Sequence, residues 1–156
     1  MGMVLDQATV NRSFQYKDGF LYWKKTGIIA GTKHHDGYIQ IGFQKKLYGA
    51  HRLIFLLSHG WMPKVIDHID GCRSNNKIQN LRQASWSENL QNMKLRSTNK
   101  SSCKNVSWSK TKKKWCVQLS IKGTQTNLGR YDDIELADLV ATEARNKYHG
   151  AFARHK

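Results

Sequence analysis

The sequence predicts an α+β protein, made of small antiparallel sheets and a few short helices arranged in two blocks. Three observations carry this. FQYKDGFLYW, residues 14–23, has a strand-like pattern broken at Lys17-Asp18-Gly19, which marks a hairpin with a tight turn. HRLIFLLSHG, residues 51–60, is instead apolar at helical spacing. LRSTNKSSCK, residues 95–104, is polar, small and basic, and it separates these elements from a final block that reads strand, strand, strand, helix.

Taken in order, residues 14–50 read as short strands, with GYIQIGF and KLYGA following the hairpin and Gly37 and Gly42 as punctuation. The helix over 51–60 stops at Gly60, with the only proline, Pro63, just beyond. Residues 65–92 form a strand, a long polar loop and a helix. Ser85 with Glu88 three residues later is a capping box, which starts that helix at Ser85. The last block places strands in NVSWS, KWCVQLSI and TNLGRY, then a helix over 133–149. Its apolar stripe is Ile134, Leu136, Ala137, Val140, Ala141, Ala144 and Tyr148. Two domains are expected, 1–94 and 105–156, joined by a basic linker over 95–104.

Composition narrows the partners. Of 156 residues, 39% are hydrophobic and 10% aromatic, including five Trp, which excludes a disordered chain. No apolar run is long enough to span a bilayer. The opening Met1-Gly2-Met3-Val4-Leu5-Asp6 lacks a secretory pattern, and Asp6 stands where a myristoylation motif wants Ser or Thr. Cys72, Cys103 and Cys116 include no CxxC pair, so neither a zinc ribbon nor a disulfide framework is written. A cytoplasmic, reducing compartment follows. Lys and Arg number 26 against 11 acids, a net +15 that points to nucleic acid. Residues 93–131 carry ten bases and no acid, whereas 132–143 carry five acids and no base, as in a domain with one DNA-facing side. Because the lysines do not line one face of an amphipathic helix, a membrane partner is not expected.

The stretch VIDHIDG, residues 65–71, raises a chemical question: a turn needs Asp and Gly but has no need of His. Asp67 and His68 are followed by Asn80 and Asn89. An imidazole deprotonates water near neutral pH, and Asp and Asn oxygens suit a hard divalent cation, so these are the parts for phosphodiester hydrolysis. Asn89 falls one turn into the capped helix, where helix propensity alone would not choose Asn. Adjacent strand residues point to opposite faces. Asp67 and His68 therefore share a site only if the strand ends or bulges there, which Asp70-Gly71 permits. Asp70 itself reads as a turn former. His34, His35, His51, His59 and His149 have no such context and read as surface or packing residues. Arg52 is a candidate phosphate clamp, with a salt bridge at a helix start as the alternative.

DHIDGCRSNNKIQNLRQASWSENLQN resembles the HNH nucleases with a ββα-metal finger, in the variant whose second and third signature residues are both Asn. The resemblance covers roughly residues 14–92, and the lead-in looks like that of phage-type and intron-type (homing) members. It implies that His68 is the general base, that Asp67 and Asn89 hold one Mg²⁺ or Mn²⁺, and that Asn80 braces the loop and orients the His. Zinc is not implied, because the four cysteines of zinc-ribbon members are absent. A monomer should nick one strand, so a monomer or weak homodimer is expected. If phage-encoded, the protein would act in the host cytoplasm.

Residues 104–153 resemble the Apetala-type DNA-binding domain of plant ethylene-response factors, a three-stranded sheet backed by one helix. The likeness rests on Val106, Trp115…Gln118-Leu119, Leu128-Gly129-Arg130-Tyr131-Asp132, and the alanines and Tyr148 of the helix. It implies that the sheet enters the major groove of double-stranded DNA. Alternation agrees: with Val117 and Leu119 facing the helix, Cys116, Gln118 and Ser120 lie opposite, flanked by Lys110, Lys112, Lys113, Lys114 and Lys122. Asn105 stands where the family has Gly, Asn127 replaces an aromatic, and Lys104, Ser107, Ser120 and Gln125 replace arginines. Plant-type GC preference is therefore not carried over. The expected function is a metal-dependent DNA endonuclease. The principal rival is a sequence-specific DNA-binding regulator with a vestigial nuclease site.

Overall fold

A computed structural model describes residues 5–155, so the reading of Met1–Val4 lies outside the described residues. Packing divides the chain into two compact units, one running to Ser85 and one starting at Trp86.

The first unit opens with a helix that the sequence reading did not anticipate, α1 (Gln7–Ser13), capped by Asp6 accepting from Thr9 N at 2.7 Å. The hairpin follows as β1 (Phe14–Lys17) and β2 (Phe20–Trp23). Asp18 and Gly19 both take positive φ, 49° and 89°, the turn that matches strand twist. Then β3 (Thr32–Lys33), β4 (Ile39–Phe43) and β5 (Lys46–Gly49) make a three-stranded antiparallel sheet leading into α2 (Ala50–His59), which ends at a left-handed Gly60. A last ribbon pairs β6 (Val65–His68) with β7 (Leu81–Ala84), antiparallel.

These strands are too short to build separate cores, and one core serves them all. Leu53, Ile54, Phe55 and Leu56 of α2 pack with Val10, Phe14, Leu21 and Ile41. Ile66 and Leu81 join the same cluster, which fixes the β6–β7 ribbon to the rest of the unit.

The second unit begins with α3 (Trp86–Gln91), directly after Ser85 as the capping box requires. Strands β8 (Val106–Ser109), β9 (Lys114–Ile121) and β10 (Thr124–Tyr131) form an antiparallel sheet with β9 central, followed by α4 (Ile134–His149). Asp133 caps α4, accepting from Leu136 N at 2.8 Å. Ala137 and Ala141 are fully buried against Val106 and Val117, because small side chains let helix and sheet approach closely. The apolar stripe is narrower than the sequence suggests: Leu136 and Tyr148 are about half exposed, at 48% and 46%. A bulge between Asn127 and Gly129 twists β10. Gly129 has φ 131°, and a Cβ there would meet the Tyr131 hydroxyl at 2.6 Å, so the bulge requires glycine.

Segment 95–104 is anchored within this unit. Lys104 Nζ donates to the carbonyls of Gln91 and Met93 at 2.8 and 2.7 Å, which ties the end of α3 to the sheet domain. For that reason the packing division falls at the start of α3, ahead of the segment read as a linker.

Leu53→Ala in the first core should cost about 2–5 kcal/mol, and Asp133→Ala about 1 kcal/mol through removal of the cap. Urea unfolding followed by circular dichroism reads both.

Candidate active site

β6 is buried along its whole length, and Asp67 and His68 are each only 4% exposed. Register places His68 opposite Leu81, on the core-facing side with Ile66, and Asp67 opposite Arg82 on the other side. Both residues lie within the regularly paired strand, which ends directly after them. β6 stops at His68, and Gly71 N closes a turn on the His68 carbonyl at 2.7 Å. Carboxylate and imidazole thus flank the end of one strand from its two faces.

Each is held by a specific partner. Asp67 Oδ2 accepts from Arg82 Nε at 2.8 Å, and Arg82 Nη2 lies at 2.7 Å from the same oxygen. His68 Nε2 meets Asn76 Oδ1 at 2.9 Å, and Asn76 is 2% exposed. An amide oxygen only accepts, so this bond puts the ring proton on Nε2 and the lone pair on Nδ1, the protonation of a general base.

The loop between the strands brings Asn76 to that position. Asp70 accepts from Cys72 N (2.7 Å), Asn75 Nδ2 (2.7 Å) and Asn80 Nδ2 (2.9 Å). Burial raises the Asp70 pKa, but the bonds from Asn75, Cys72 and Asn80 and the nearby His68 bring it below the ordinary carboxylate value. Asn80 also accepts from Asp70 N at 3.0 Å and donates to Asn75 O at 2.8 Å. Its bonds stay within the loop, and the side chain touching the imidazole is Asn76. Sequence reading passed over Asn76, because an Asn in a polar loop looks like an ordinary turn residue. Tyr16 Oη accepts from Ile78 N at 3.0 Å, pinning the loop to the hairpin.

Two rings that the sequence reading did not single out as functional lie beside His68: His51, with centroids 5.3 Å apart, and Tyr38, at 5.9 Å. Arg73 stacks over Tyr38 at 5.0 Å and donates to the Asp36 carbonyl at 2.9 Å, joining the 34–38 turn to the loop. The His51 pKa is held down to about 3 by burial first, then by the charges of His68 and Arg52. Arg52, read as a phosphate clamp, donates to the carbonyls of Pro63 and Lys64.

Asn89 lies half-buried on α3, in the second unit. Among the described residues no group of three or more His, Cys, Asp or Glu could hold a metal ion. Carboxylate and carboxamide oxygens are donors of the kind that hard divalent ions such as Mg²⁺ and Mn²⁺ take.

In the second unit, register gathers Ser107, Cys116, Gln118, Ser120, Gln125 and Asn127 on the sheet face opposite α4. Arg130, omitted from the sequence-based set, joins them opposite Cys116 and is exposed. Lys110, Lys112 and Lys113 occupy the β8–β9 turn and Lys122 the β9–β10 turn. Lys114 is paired with Asp132 at 2.7 Å, and the Lys104 ammonium is engaged by the two carbonyls above, its pKa lowered to about 8 by burial, then by Arg145 and Arg154.

Residues 48–91, which span this whole loop, match the HNH endonuclease family model. Over 117 residues the chain is 36% identical to Protein 3.8 of Escherichia phage T7, covering 72% of this chain and 96% of that protein. No solved structure gives a significant match. The chain belongs to the HNH endonuclease family, and with it to the nucleases that act on DNA with a divalent metal ion. Among the described residues no helix is long and apolar enough to cross a membrane.

The buried His51 gives stability a pH dependence. Its folded pKa, about 3, lies below the unfolded 6.5, so the unfolded state binds the extra proton between those values. The contribution is intact above pH 6.5 and diminishes progressively as pH falls from 6.5 toward 3. The unfolding free energy of wild type, read from urea titrations, should therefore fall more steeply than that of His51→Phe across this window, by up to about 1.4 kcal/mol per pH unit.

Proposed function

We propose that the protein is a metal-dependent DNA endonuclease of the phage or homing HNH type, nicking duplex DNA at a single site per chain. The observation that carries this reading is the buried His68 at the end of β6, held through Nε2 by Asn76 beside the Asp67–Arg82 pair. His68 Nδ1 takes the proton of the attacking water, and Asn76 keeps the ring in the tautomer and orientation for that step. Arg82 orients the Asp67 carboxylate and compensates its charge within the protein. Asp67 and Asn89 would hold the Mg²⁺ or Mn²⁺, which supplies charge stabilisation for the phosphorane and the departing 3′ oxygen. Asn80 maintains the loop that delivers Asn76.

The test is nicking of supercoiled plasmid, carrying DNA from the source genome, with Mg²⁺, Mn²⁺ or EDTA. Cleavage should require the metal, and His68→Ala should slow it by about 10²–10⁴-fold with unchanged DNA affinity. Tight binding without nicking by wild type would favour a regulator with a vestigial site.

The second unit serves as the DNA-reading head. An extended polar face with lysines at both hairpin turns suits the major groove, where Gln118 can pair with adenine and the lysines meet phosphates. Lys112→Ala with Lys113→Ala should weaken binding to all sequences and lower the salt slope by about one for each phosphate no longer neutralised. Gln118→Ala should change sequence preference, costing about 1–3 kcal/mol on the best site. Fluorescence anisotropy across a salt series separates the two effects.

A further inference from the structure

His51 has features that packing alone leaves unexplained. It stands in the first turn of α2, its ring set edge-on to His68 at 62° and 5.2 Å from the ring of Tyr38. Nδ1 is sealed from solvent, and among the described residues it has no hydrogen-bond partner. The ring lies directly over Gly49: a Cβ there would come within 2.5 Å of Cε1 and 2.9 Å of Nδ1, so only glycine admits it. It also lines an open cleft of about 200 Å³ with Tyr38, Gln40, Leu47, Tyr48 and Gly49.

A hydrophobic ring would fill this place without the cost of an unpaired buried nitrogen, about 1–3 kcal/mol. With Nδ1 sealed, Nε2 is the nitrogen through which the imidazole meets the cleft. Burying a lone pair is easier than burying an unpaired N–H, which places the ring proton on Nε2. We propose that His51 is a second catalytic residue, donating a hydrogen bond from Nε2 to a non-bridging oxygen of the phosphodiester on which His68 acts.

The inference rests on the nuclease reading and adds a requirement to it. A phosphate oxygen only accepts, so the group facing it must donate. A Lys or Arg would do so, but a cation against His68 would depress its basicity. A neutral imidazole donates without that penalty, and burial keeps His51 neutral.

The test compares wild type, His68→Ala, His51→Phe and His51→Gln in single-turnover nicking. DNA affinity and thermal unfolding are measured on each. His51→Phe keeps an aromatic ring over Gly49 but has no donor, and His51→Gln restores an N–H. The expected result is a folded His51→Phe whose rate constant falls on the order of 100-fold, more than its affinity does, with His51→Gln recovering about tenfold. Full activity in His51→Phe overturns the inference while leaving the nuclease reading intact. Equal loss in both folded variants also overturns it, because a donor is then not what the site needs. Should His51→Phe fail to fold, His51→Gln decides alone: nicking within about tenfold of wild type supports the donor, and a fall to the level of His68→Ala overturns it. A wild-type protein that does not nick overturns both readings together.

Discussion

The bond between His68 Nε2 and Asn76 Oδ1 is the interaction on which the site depends. A general base needs one nitrogen protonated and fixed so that the other presents its lone pair, and an acceptor-only amide oxygen enforces that. Eight residues separate the partners, so the chain must fold back on itself to close the bond. Asp70 and Asn80 bind each other through backbone and side chain, Asn75 joins them, and the Tyr16 hydroxyl holds the far end. The Asn residues of this loop serve its closure: carboxamides both donate and accept, and they satisfy one another and Asp70 around the buried Asn76.

Charge around the site is controlled locally, against the +15 of the whole chain. Asp67 is buried but paired with Arg82. Its removal from water is therefore compensated, and its placement follows from the cross-strand register that puts the two residues opposite. His51, which could have been a second cation, is kept neutral by burial. His68 is left beside the rings of His51 and Tyr38.

The second unit uses a buried charge for a different purpose. Arg145, 1% exposed, donates to the Lys104 carbonyl at 2.6 Å and to Thr142 Oγ1 at 2.8 Å, locking the back of α4 to the chain ahead of β8. With that anchor, α4 covers one face of the sheet and leaves the other polar face and both lysine-bearing turns exposed.

Much of this was legible in the sequence because the signals were local. Lys17-Asp18-Gly19 wrote the hairpin, Gly60 and Pro63 the end of α2, and Ser85 with Glu88 the start of α3; each acts through backbone preferences over a few residues. Asp67 and His68 could be named as a pair from their place before Asp70-Gly71. The α1 helix went unread because seven residues make too weak a periodic signal, and its stability comes from packing against α2. Asn76, Arg82 and His51 were not assigned for a related reason. Nothing in an Asn, an Arg or a His reports which atom it will meet: Arg82 finds Asp67 through strand register, Asn76 finds His68 through loop closure, and His51 finds it through the docking of α2. The sequence determined the elements and the chemical parts. Only the tertiary structure decided which parts touch, because those pairings depend on strand register, loop closure and how the shared core packs the elements together.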